Sequence, residues 1–185
     1  MNTAQNSGTY SIDATHSNVE FAVKHMMIST VKGHFGEVKG SIELPEHGQP
    51  KVDVTIATAS IDTRTEARDT HLRSADFFDV EKYPEIRFVS TRADRTDDGW
   101  KLVGNLTIKG TTRPITLLVT EEGAATDPWG NQKIAFSATG KINRGDFGLT
   151  WNAVLETGGV LVSEEVKLSI DAQLVKQAAA APKAA

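Results

Sequence analysis

The sequence predicts an all-β domain, an antiparallel barrel or sandwich of about eight or nine strands interrupted once by a short helix. Three observations predict it. Apolar and polar residues alternate with period two along most of the chain. Short turns rich in Gly, Pro, Asn and Asp separate the runs, where parallel β/α folds would need helical crossovers. The 185 residues fit one domain with a sizeable core.

The elements follow in chain order. Val19, Phe21 and Val23 share one face against Glu20, Ala22 and Lys24, and His25 and Met27 continue the buried parity. Val38, Ile42 and Leu44 oppose Glu37, Lys39, Ser41 and Glu43, and Val52, Val54 and Ile56 oppose Lys51, Asp53 and Thr55. These two runs are expected as hairpin neighbours through the Pro-bounded residues 45–50. Thr63 and Glu66 have the spacing of a capping box, which predicts a helix from about Arg64 to Arg73 lying as a lid or plug. Phe77, Phe78, Tyr83 and Pro84 bring the chain back to the sheet.

Ile86 and Phe88 mark the next strand, followed by a turn at Asp97, Asp98 and Gly99. Trp100, Leu102, Leu106 and Ile108 mark another, and a turn over residues 109–114 leads to Ile115, Leu117 and Val119. Residues 127–131 form a turn that presents Trp129. Ile134, Phe136 and Ile142 follow, and the last strand carries Val166, Leu168, Ile170 and Leu174. Between these two, residues 149–159 break the period and contain Trp151 and Asn152, so a helical turn or a loop across the barrel mouth is expected. The domain is expected over residues 10–176, with a flexible N-terminus at 1–9 and a disordered alanine-rich tail at 177–185.

Composition removes several function classes. A net charge of −4 with no basic run offers no footprint for a phosphate backbone, so nucleic acid is not an expected partner. The absence of cysteine excludes disulfides, thiolate metal sites and thiol catalysis. His16, His25 and His34 recur at nine-residue spacing, but no His-x-His or His-Glu-x-x-His pattern accompanies them, so neither a metal nor a cofactor is expected. No nucleophile, base and oxyanion donor stand at a recognisable spacing, and the carboxylates sit on solvent-facing parity, so the protein is not expected to be an enzyme. The first residues lack the basic and apolar regions of a secretory signal, and no apolar run is long enough for a membrane-spanning helix, which predicts a soluble, cytoplasmic chain without an integral membrane segment.

Four patches occur in a fixed order: YSIDATHS at residues 10–17 running on to KHM at 24–26, RDTHLRSADFF at 68–78, GNLTIKG at 104–110, and NRGDFG at 143–148. The set resembles the YceI-like family, lipocalin-like barrels that bind polyisoprenoids and other long apolar molecules, from about Tyr10 to Val175. The resemblance implies a single antiparallel eight-stranded β-barrel with a short helical insertion, holding a polyisoprenoid, an isoprenoid quinone or a similar lipid. It also implies relatives that are often exported. The Arg-Gly-Asp triplet coincides with the family's Asn-Arg-x-Asp-Phe-Gly turn, where Arg144 and Asp146 are expected in local pairs and Phe147 tucked against the barrel.

An interior built for a lipid tail should show small side chains on inward parity. Gly36, Gly40, Gly104, Ala138 and Gly140 fit, and aromatics are only 6% of the chain. Such glycines either bend strands at barrel corners or leave an unfilled apolar channel. The candidate ligand-binding residues are Phe21, Val23, Val38, Ile42, Val54, Ile56, Phe88, Leu102, Leu106, Leu117 and Phe136 by parity, His25 as a polar contact beside them, and Arg68 and His71 on one face of the helix. Arg68 and His71 either receive a head group or pair with Asp69, Asp76 and Asp79. Three alternatives stay open: an enzyme acting on a lipid in the cavity, a filled barrel working as an interaction module, and a homodimer.

Overall fold

The computed structural model describes residues 6–154 and 159–178. Eleven strands form one sheet: β1 (Gly8–Ile12), β2 (Asn18–His25), β3 (Ser29–Phe35), β4 (Val38–Leu44), β5 (Lys51–Ala57), β6 (Ile61–Asp62), β7 (Glu85–Thr96), β8 (Gly99–Ile108), β9 (Thr111–Thr126), β10 (Gln132–Asn143) and β11 (Val162–Lys176). One helix, α1 (Glu66–Arg73), lies between β6 and β7. β1 pairs with β4 on one side and β11 on the other, which closes the sheet on itself. The eleven strands make eight staves, because β1 with β2, β3 with β4, and β5 with β6 are each one stave broken once. The result is an up-and-down lipocalin-like barrel, every neighbouring pair antiparallel.

The breaks answer one another. Between β1 and β2 the carboxylate of Asp13 accepts from the Thr15 amide and hydroxyl, from Gln173 Nε2 and from Lys133. These bonds, that from Thr15 first, hold its carboxyl far below the ordinary carboxylate range. Where the second stave breaks, the Gly36 amide donates to Ser60 O, and the Glu37 amide to Ser60 Oγ, so the breaks in staves two and three satisfy each other's backbone groups.

Several expectations change here. β1 and β3 carry weak apolar signals and were not expected as strands; β1 begins at Gly8, inside the stretch expected to be flexible, and Gly8 pairs with Leu44. Residues 1–5 and 179–185 lie outside the described residues, as do 155–158 of the 149–159 stretch. Gln177, in the expected tail, still donates its amide to Thr9 O. Met27 does not face inward: the chain reverses at Met26 and Met27, both at positive φ, and Met27 is 64% exposed. The turn after β8 is only Lys109 and Gly110, and residues 111–114 already belong to β9.

The helix begins at Glu66, not Arg64, and its N-cap is Thr65. The capping box does not form, because the Thr63 amide and hydroxyl both donate to the buried carboxylate of Asp69 (2.9 and 2.5 Å). A buried carboxylate needs such donors more than the helix end needs one. Asp69 therefore also departs from the expected solvent-facing set.

The turn at 143–148 forms with Phe147 buried, but Arg144 does not pair with the exposed Asp146. Its guanidinium donates instead to the carbonyls of Ser163 (2.9 Å), Leu149 (2.5 Å), Trp151 (2.8 Å) and Val162 (3.4 Å), tying the connection between β10 and β11 to the barrel. Burial pulls this guanidinium below its ordinary pKa.

Candidate apolar binding cavity

One end of the barrel carries the 45–50 loop and the β7–β8 and β9–β10 turns; the other carries α1, the β2–β3 turn and the connection through Trp151. Between them lies a cavity of about 800 Å³, in the range of small-molecule sites. On β10 its wall runs from Ile134 to Ile142. Eight residue steps span roughly 26 Å along a strand, or roughly 20 Å along the axis of a barrel with tilted strands. The space is long and narrow.

All fourteen residues expected from the sequence lie on its wall. The first stave contributes Phe21, Val23 and His25, the second Val38 and Ile42, the third Val54 and Ile56. Phe88 comes from β7, Leu102 and Leu106 from β8, Leu117 from β9 and Phe136 from β10, with Arg68 and His71 from α1. Phe21, Val23, Val54 and Phe136 remain partly accessible although they point inward. Phe21, Val54 and Phe136 pack against the core on one side and, like Val23, face the cavity on the other, so the barrel is not filled.

The small residues contribute differently from expectation. A Cβ on Gly104 would run into the ring of Phe88, and one on Gly33 into the ring of Phe21. These two glycines do not leave holes; they let rings lean against the wall instead of across the bore, whereas Gly40 lies against the Asp53 and Val54 backbone and Gly140 against Leu117. Gly104→Ala is therefore expected to push Phe88 inward and to destabilise the fold by about 1–3 kcal/mol. A urea titration checks this: Gly104→Ala/Phe88→Ala relieves the ring contact but leaves the added Cβ 2.7 Å from Val89 O, so it should recover only part of the loss, and an unperturbed single variant would refute the contact.

The upper end is closed by aromatics. His71 meets Phe77 (5.0 Å between centroids) and Trp151 (4.8 Å) edge-on, and its Nε2 lies 3.0 Å from Asp76 Oδ2. Phe78 meets Phe35 edge-on at 5.8 Å. Arg68 takes neither expected role alone. Its Nε donates to Thr63 Oγ1 (2.7 Å) and its Nη2 to Thr63 O (2.9 Å) and Thr65 Oγ1 (3.0 Å), so it pairs with none of Asp69, Asp76 and Asp79. His25 makes no side-chain hydrogen bond among the described residues, so it is a polar group on the wall with bonding capacity to spare.

The wall extends beyond the expected residues. Val166, Leu168, Ile170 and Leu174 of β11 line it, and their shared parity could have placed them there. Leu149 and Trp151 also line it, from the stretch expected as a loop or helical turn across the barrel mouth, and so does Arg144, which has no periodic signal. At the lower end Glu46, Arg95 and Glu121 give a polar margin, with Arg95 over the Trp100 ring at 4.8 Å. The three evenly spaced histidines do not converge: His16 bonds Asp13, His25 lines the cavity, and His34 lies opposite Asp62 in the β3–β6 pairing. Among the described residues no cluster of three metal-ligating side chains is present.

The profile of the YceI-like domain matches residues 10–174, nearly the whole barrel. The chain belongs to the YceI-like family. A UPF0312 protein of Staphylococcus aureus (strain MSSA476) is 38% identical over 167 residues, covering 89% of this chain and 95% of the relative. Among solved structures, the YCEI protein of Campylobacter jejuni superimposes with a TM-score of 0.72 at 34% identity, covering 84% of this chain and 90% of the other. A polyisoprenoid binding domain from Saccharophagus degradans, implicated in plant cell wall breakdown, shares the fold with a TM-score of 0.67 at 16% identity, covering 91% of this chain and 98% of the other. A YceI-like barrel is thus established by both sequence and shape.

Proposed function

We propose that this protein binds, carries or stores a long apolar molecule, a polyisoprenoid, an isoprenoid quinone or a similar lipid, and performs no chemistry on it. The observation that carries this reading is the long bore lined almost entirely by aliphatic and aromatic side chains, several of which stay partly accessible. The polyisoprenoid-binding description of the structural neighbour supports the same ligand class. Burial of each methylene contributes roughly 0.8 kcal/mol, so a tail can be held without a polar contact. His25, with its unspent imidazole, is the contact offered to a head group.

Native mass spectrometry of the purified protein, followed by organic extraction of what it releases, tests the reading directly. A prenyl series tests it quantitatively. Each isoprene unit is expected to add on the order of 3–4 kcal/mol, before ordering costs, until the cavity is full. Arg68→Ala, His71→Ala and His25→Ala should each cost only about 1 kcal/mol. Affinity that ignores chain length but collapses without Arg68 would move the site to the rim, and a chemically altered ligand lost in His25→Ala would make the protein an enzyme.

A further inference from the structure

The β2–β3 turn presents three consecutive apolar side chains to solvent: Met26 is 40% exposed, Met27 64% and Ile28 80%. Beside it stand Val154 and Val160, a bridged pair that are 86% and 38% exposed. The two groups are joined, because the Met26 amide donates to Leu161 O and the Leu161 amide to Ala153 O. Met26 and Met27 hold φ of 52° and 60°, where glycine or asparagine costs the backbone least. The fold gains nothing from methionine at these two positions. The patch is also continuous with the cavity, since His25 and Leu161 on either side of it line the upper wall.

Charge decides what covers this patch. Lys24 and Lys32 project from the outer face of the same hairpin, Lys24 opposite Thr30 and Lys32 opposite Ala22. Among the described residues neither is in an ion pair; on the adjoining stave Glu165 pairs with Lys141, and Glu164 accepts from Asn143 and lies in the field of the Arg144 guanidinium. A second copy docked through the same patch by a two-fold axis would bring like charges together. An anionic lipid surface meets both features. Lys24 stands one residue before the His25–Ser29 pair that closes the turn, and Lys32 two residues, roughly 7 Å, further from the tip; apolar segments in a bilayer interface bury roughly 5–10 Å, so the Lys24 ammonium would reach headgroup level and Lys32 would stand behind it.

We propose that the β2–β3 tip, with Val154 and Val160, docks onto an anionic bilayer and sets the upper end of the cavity against the membrane for exchange of its ligand. The proposal rests on the cavity being a lipid site.

The test uses the full chain and vesicles of phosphatidylcholine with or without phosphatidylglycerol. The wild type is expected to sediment with the anionic vesicles, more weakly as salt rises, and Met27→Asn/Ile28→Ser to weaken this by roughly tenfold or more. Asparagine suits the left-handed turn, so that variant should melt no lower than the wild type. Transfer of a fluorescent polyprenol from vesicles should slow by a similar factor in the variant, while retention of the same probe delivered in ethanol stays unchanged. Lys24→Ala/Lys32→Ala should remove the preference for phosphatidylglycerol. Wild type that fails to sediment, a variant that takes up probe from vesicles at the wild-type rate, or a dimer dissolved by the same substitutions would each overturn the proposal. Sedimentation by a protein that never retains the ethanol-delivered probe would uphold the docking surface and defeat the cavity reading instead.

Discussion

Ala138→Phe is expected to abolish retention of long-chain ligands while the barrel stays folded. Ala138 lies in the middle of β10, opposite Val119 and Ile170, and all three line the cavity. Ala138 is buried in the core wall and also lines the cavity, so a phenyl ring there can turn into the bore and relieve part of the overpacking that usually follows enlargement. The same ring obstructs the bore at mid-height. Excluding about five carbons of a bound tail forfeits on the order of 3–4 kcal/mol, or roughly 100- to 1,000-fold in affinity. Short prenyl chains that fit on one side of the ring should lose much less. Titration of a long and a short prenyl probe, with circular dichroism melts, checks this; equal losses for both lengths, or none, would contradict a through-running bore.

Replacing Arg144 is expected to have the largest effect on stability. Its guanidinium is buried, forms no ion pair among the described residues and donates only to backbone carbonyls. Arg144→Met keeps much of the volume but leaves the carbonyls of Leu149, Trp151, Val162 and Ser163 without their donor. Hydrogen bonds to a charged donor contribute about 1.5–3 kcal/mol each, and several are lost together, so a cost of about 3–5 kcal/mol is expected after relaxation. Lysine cannot restore a fork of donors, so Arg144→Lys should recover little. Urea unfolding measures the cost. Hydrogen exchange should locate the loosened backbone between β10 and β11, and a variant within about 1 kcal/mol of wild type would show that water can replace the guanidinium.

Residues with strict period two, such as Phe21 and Val23, Val54 and Ile56, or Leu102 and Leu106, announced both their strand and their side of it. That period is also why the wall was legible: burial against sheet neighbours and exposure to a central space impose the same alternation. Where the backbone departs from regular pleating, the signal ends. Met27 has the parity of a buried residue, but the chain turns over at Met26. β3 offers only Val31 and Phe35 on its inward face around Gly33, too sparse a pattern to read. Thr63 and Glu66 satisfy a helix-start motif, yet the need of Asp69 for donors, six residues along the chain, outweighs it. The partners of Arg144 are out of reach for a different reason: they are carbonyls brought close only by the closed barrel, and backbone acceptors leave no trace in residue identity.

The barrel wall is hydrogen-bonded sheet around its circumference except beside β6, which pairs with β3 alone; on its other side α1 and the aromatic cluster take the place of a neighbouring strand. Side-chain packing over one short helix can open locally at a lower free energy than the sheet needs to come apart. Residence time and affinity of the proposed ligand would therefore be governed by different parts of the molecule. For the lipid ligand proposed above, the length and lining of the bore would set how strongly a tail is held, whereas the packing of His71, Phe77 and Trp151 would set how often it can leave. Substitutions in that cluster would then change entry and exit rates together, with little change in which molecule is preferred, so exchange could be retuned without rebuilding recognition.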